Sequence, residues 1–126
     1  MLFLSDEWFE ALATAVASIE TTAEVTVGQL VHDGPVTHRY RFVSHGGRVS
    51  VVRGAGEDGT VPPADVTFEE TRAVAAAVGR GDRSAGHAVL TGDITVHGDV
   101  SVLSAEPDLA VSLADAVGGL ATRTVY

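Results

Sequence analysis

The chain has 126 residues, no cysteine, and eight basic residues, every one an arginine, against seventeen acidic ones, for a net charge of −9. That balance argues against nucleic acid, whose phosphates need a basic surface, and against stable insertion into or adsorption on anionic membranes. The missing cysteines exclude disulfides, thiolate nucleophiles and cysteine metal sites.

The length fits one domain, residues 1–126, that buries ~65% of its unfolded surface. Aromatics are only 6% of the chain, so Ala, Val and Gly must build the core, and an internal pocket becomes plausible. Met1-Leu2-Phe3-Leu4 is too short for a signal peptide. The longest unbroken apolar run, Ala73 to Val78, is far below the ~20 residues that span a bilayer. The expectation is a cytoplasmic protein. The all-arginine basicity, with so much Ala, Gly and Val, suggests a GC-rich bacterial genome.

In chain order, Ser5 is an N-cap candidate, and Asp6, Glu7 and Glu10 sit early in the helix that follows. Trp8, Leu12, Ala15, Val16 and Ile19 form one helical stripe. The stripe packs on a sheet, and Trp8 can also line a cavity. Glu24 to His32 reads as a strand in which Gly28 shifts the phase through a bulge. Asp33-Gly34-Pro35 is a turn, and Val36 to Ser44 is the next strand. His38, Tyr40 and Phe42 share one of its faces, Thr37, Arg39 and Arg41 the other. Gly46-Gly47 turns into a third strand, Arg48 to Arg53, giving a three-strand antiparallel meander. Gly54 to Pro63 reads as an exposed loop and linker, with Val61-Pro62-Pro63 delivering an extended chain.

Ala64 to Phe68 alternates as a half-buried strand. Thr67 and Glu70 have capping-box spacing for a helix with Val74 and Val78 on one face, closed by Gly79 or Gly81. Asp82 or Ser84 can cap a short helix from Ala85 to Leu90, which Gly92 closes. Ile94 and Val96 alternate as another strand before a Gly98-Asp99 turn. Pro107 opens a last helix striped by Leu109, Leu113, Ala116 and Val117 and ended by Gly118-Gly119.

The stretch Asp65-Val66-Thr67-Phe68, then Thr71 to Gly81, Ala85 to Thr91 and Gly92-Asp93-Ile94-Thr95-Val96-His97-Gly98-Asp99, resembles the signature region of the sterol-carrier-protein type 2 family of lipid-binding domains. Gly47-Arg48-Val49-Ser50-Val51-Val52-Arg53-Gly54 is similar to that family's hairpin strand. The resemblance covers residues 24–103. It implies an α+β fold in which a mixed five-stranded sheet, a meander plus two strands after a crossover, is covered by helices that enclose an apolar tunnel. The wall residues it selects, together with the apolar faces above, are Trp8, Leu12, Val16, Tyr40, Phe42, Phe68, Val74, Val78, Val89, Leu90, Leu113 and Val117. His87 falls where the family is usually apolar. It can bond a ligand oxygen, bond backbone, or face water. The last helix is a departure from, or an elaboration on, the family pattern.

Reactive constellations are sparse. The five histidines include no i,i+4 pair on a helix and no H-E-x-x-H, so no metal is expected. Ser44-His45, Ser84 with His87, and His97 with Asp99 hold triad ingredients without a nucleophile elbow. No phosphate loop or dinucleotide motif stands out, and no cofactor is expected. The leading expectation is non-catalytic binding of a lipid or similar apolar molecule. The alternative is an accessory module with a closed core, and a homodimer is left open. A small enzyme using His87 or His38 ranks last.

Overall fold

The computed structural model describes residues 1–54 and 64–126. The loop expected from Gly54 to Pro63 lies, apart from Gly54, outside the described residues.

Helix α1 (Asp6–Ala17) starts where Ser5 Oγ accepts the Trp8 N–H at 3.2 Å, with Asp6 and Glu7 against the positive end of its dipole. Its buried side is Trp8, Phe9, Leu12 and Val16. Strands β1 (Val25–Asp33), β2 (Val36–His45) and β3 (Arg48–Arg53) form the expected meander. Gly46 and Gly47 join the last two with φ of 62° and 82°, which only glycine adopts without strain. The β1–β2 register runs unbroken from Val25–Ser44 to Asp33–Val36, so the bulge expected at Gly28 is absent. Gly28 serves a close approach instead. A Cβ there would lie 2.6 Å from Thr67 Oγ1 on the neighbouring strand.

That neighbour, β4 (Val66–Thr71), runs parallel to β1. It starts two residues later and ends three residues later than the expected Ala64–Phe68 strand, and the Thr67–Glu70 capping box does not form. The ladder with β1 holds the chain extended as far as His32–Thr71. The helix cap is therefore Thr71, whose Oγ1 accepts the Val74 N–H, and α2 spans Arg72–Arg80. Gly81, at φ 83°, ends it. Ser84 caps α3 (Ala85–Leu90) by accepting the His87 N–H at 3.1 Å. Strand β5 (Thr95–Gly98) pairs antiparallel with β4. An unanticipated turn of helix, α4 (Ser101–Ser104), precedes α5 (Pro107–Gly118), which has its proline at the start as expected. A 3₁₀ turn at Ala121–Arg123 leads to a parallel bridge between Leu2 and Val125.

The sheet order is β3-β2-β1-β4-β5, the mixed five-stranded α+β sheet the sequence implied. One face carries the core: Val25, Val27, Val31, Tyr40, Phe42, Val49 and Val66 are all buried there. Helix α1 lies over the β3 side of this face, and α2 over β1 and β4. On the opposite face of β2, Arg39 is exposed as expected, whereas Thr37 and Arg41 are half-buried.

Candidate ligand site

The covered face of the sheet is read most easily in rows across the strands. One row is Val51–Phe42–Val27–Val66, wholly aliphatic and aromatic. The next is Arg53–Tyr40–Gln29–Phe68–Val96, and the one after it contains His38–Val31–Glu70. Polar side chains thus enter the covered layer at its centre.

Most of the expected wall residues meet here. Trp8, Leu12, Val16, Tyr40, Phe42 and Leu113 belong to one buried cluster, and Phe68 and Val117 pack half-buried against it. The remaining ones do not. Helix α2 buries Ala75, Ala76 and Gly79, leaving Val74 and Val78 half-buried on its flanks. Its phase is set by Thr71, four residues later than the expected cap. Helix α3 buries Ala88 alone. Leu90 stands about 200° around the helix from Ala88 and is 87% exposed. It does not line the interior. Val89 is half-buried, and His87 faces water, one of the three alternatives open to it.

The polar groups inside this layer were not singled out as such by the sequence patterns. Glu70 is on the inward side of β4, and burial pushes its carboxyl up to about 7. Tyr40 is raised by burial and, secondarily, by the Glu70 charge. Gln29 sits between Tyr40 and Phe68. In addition, the Trp8 Nε1–H is buried without a hydrogen-bond acceptor among the described residues. Orphan donors of this kind are rare in folded interiors. The signal for Glu70 was present as strand parity: Val66, Phe68 and Glu70 alternate together. The two acidic residues read as a helix start masked it.

The open face carries a different cluster. His32 Nε2 and His97 Nε2 contact the two oxygens of Glu69 at 2.6 and 2.7 Å. Those bonds hold the Glu69 carboxyl below its ordinary value. As an ionised acceptor it requires both imidazole nitrogens to donate. The carboxylate stands between the two rings, which reach it from opposite diagonals of β4. Among the described residues, no three His, Asp or Glu side chains converge on a metal position. A hollow of about 130 Å³ lies between Gly28, Arg39, Arg41, Gly54 and Thr67.

The triad ingredients are engaged separately. Ser44 Oγ donates to the Ala23 carbonyl, His45 pairs with Glu24, Ser84 caps α3, and Asp99 accepts from Ser101 N–H. The two ends of the signature stretch come together. Asp65 Oδ2 accepts the Thr26 N–H at 2.8 Å, and the Asp65 carbonyl accepts the Asp99 N–H at 3.0 Å. Gly98 has to be glycine, because its φ is 88° and a Cβ would lie 2.5 Å from the Asp65 carbonyl oxygen. These residues seam β1, β4 and β5 together.

No protein-family model matches this sequence, and no curated protein does. Solved structures do match, at low identity and over nearly the whole chain. A crystal structure of sterol carrier protein 2 is 17% identical, with a TM-score of 0.71 over 92% of this chain and 97% of that one. The solution structure of TT1886 from Thermus thermophilus, described as possibly sterol carrier protein, is 18% identical, with a TM-score of 0.70 over 96% and 91%. Palmitated SCP2L2 from Aedes aegypti is 18% identical, with a TM-score of 0.61 over 90% and 95%. The chain has the sterol carrier protein 2 fold, as its signature stretch implied.

Proposed function

We propose that this chain is a non-catalytic binder of an apolar chain-like ligand, taken up between the helix layer and the covered face of the sheet. The observation that carries this reading is the half-buried apolar flank of that face. Phe68 and Val96 on the sheet, with Val102, Leu103 and Val117 on the helices, pack against the core while keeping part of their surface in water. The shared fold supports it, since one of the matching structures is described as palmitated. Burying a methylene contributes ~0.8 kcal/mol, so about ten of them offer ~8 kcal/mol before the entropy of association is subtracted. Among the described residues no helix is long and apolar enough to cross a membrane.

A second reading, an accessory module with a closed core, is favoured by one specific feature. Trp8, Leu12 and Val16 are sealed to 1% exposure or less by their neighbours. Native mass spectrometry of detergent-free protein, followed by organic extraction, separates the two. Near-stoichiometric co-purified lipid is the expected result. A clean unliganded mass, with no uptake of fluorescent fatty acid or sterol, moves the assignment to the closed module.

A further inference from the structure

We propose that Gln29, Tyr40 and Glu70 form a polar subsite within the covered layer that accepts an uncharged, hydroxyl-bearing head group and excludes a carboxylate. The inference rests on the ligand-binding reading above and names the ligand class for the same layer.

The register supplies the geometry. Across one row the sheet passes from Tyr40 and Gln29 to Phe68 and Val96, and Glu70 lies one row away on the strand that carries Phe68. A chain laid along Phe68 and Val96 brings its head to Gln29. A hydroxyl there can donate to one of these groups and accept from another, whereas a carboxylate can only accept.

The charges around the subsite point the same way. The buried residues of α1, α2 and α5 are all apolar or glycine, so the buried helix faces supply no counter-charge. From the strands, His38 and Tyr40 of β2 and Asp33 at the end of β1 are the titratable neighbours. Two guanidiniums border the layer. Arg72 bonds Asp33 at 2.7 Å and lies over Phe3, and Arg53 bonds Asp6 at 2.6 Å and lies over Phe9. Each is already matched to a carboxylate. A carboxylate ligand would therefore bring a second negative charge beside Glu70 in a poorly solvated layer, which disfavours both.

The test uses the 126-residue chain, with dodecan-1-ol and dodecanoate as probes in competition binding against a fluorescent acyl probe. At pH 8 the alcohol binds at least ~10-fold more tightly than the acid. With a Glu70 pKa of about 7, its protonated fraction rises from about a tenth at pH 8 to about nine tenths at pH 6. Dodecanoate remains ionised over that range, and its affinity rises ~10-fold if binding selects protonated Glu70. The alcohol changes less than ~2-fold. Glu70→Gln removes the pH step for the acid. Gln29→Leu weakens the alcohol ~10-fold and leaves that step in place.

Dodecanoate binding as tightly as the alcohol at pH 8, or a pH step that survives in Glu70→Gln, overturns the subsite and leaves the carrier reading standing. No binding of either probe by any of the proteins overturns the carrier reading and the subsite with it.

Discussion

The two ends of the sheet lie under one helix layer but are closed differently. Over β2 and β3 the cover is aromatic. Trp8 meets Phe3, Phe9 and Tyr40 edge to face at 5.0 to 6.2 Å, and Tyr40 meets Phe42 at 5.8 Å. Over β1 and β4 the helix turns Ala75, Ala76 and Gly79 toward the core, and Phe68 and Val96 stay half-buried. Large interlocked rings leave little room and resist change. Small side chains under a nine-residue helix make fewer such contacts, so the second region is the less tightly interlocked of the two. The layer thus has one wall of interlocked rings and one of small side chains.

The contrast is broken most forcefully at Trp8. Trp8→Ala is expected to cost about 3–5 kcal/mol in urea denaturation, while Val78→Ala on the other side costs less than about 1. Comparable losses at both sites would show that the two walls are equally packed. Next in size, and opposite in sign, is Glu70→Gln. The folded carboxyl titrates at about 7, above its ordinary value of 4.5, so the native state holds its proton more strongly. Wild-type stability therefore falls as pH rises from about 4.5 to about 7. The variant matches wild type below that window and exceeds it above, by ~2 kcal/mol at pH 8 once partial solvent exposure is allowed for. Parallel denaturation curves at pH 4 and pH 8 check this.

Gly28→Ala tests the join between the regions. The new methyl meets Thr67 Oγ1, and a loss of about 1–2 kcal/mol is expected, partly recovered when Thr67→Ala removes that oxygen. The smallest effect belongs to Leu90→Ala. At 87% exposure it should move stability by less than about 0.5 kcal/mol, and a larger loss would place Leu90 in a contact that its exposure does not show.

Much of this was readable in advance where local chemistry and tertiary packing agree. Ser5, Ser84, Pro107 and the Gly46-Gly47 turn each do locally what their side chains favour, and the elements they open start where expected, although α1 stops at Ala17, short of the Thr21-Thr22 end expected for it, and leaves Ile19 outside the helix. The errors fell where a distant strand decides. Glu69 and Glu70 look like the first turn of a helix, yet the parallel ladder with β1 keeps them extended. That displaced the cap to Thr71, rotated α2, and exchanged Val74 and Val78 for Ala75, Ala76 and Gly79. The same displacement hid the inward-facing, half-buried carboxyl of Glu70. Gly28 likewise reads as a bulge by period alone, because the hydroxyl that needs its empty side belongs to Thr67, far along the chain. Within α3, six residues carry too little pattern to distinguish Ala88 from Leu90 as the inward position.

The bridge between Leu2 and Val125 has a consequence for connectivity. The Met1 ammonium donates to the Arg123 carbonyl at 2.7 Å, and the Val125 N–H donates to the Met1 carbonyl at the same distance. Residues 1–3 and 123–125 thus clasp each other, so a linker of a few residues between positions 1 and 126 would be closed at small entropic cost, and cutting at the exposed Gly46-Gly47 turn would then exchange the order of the strands while leaving their pairing in place.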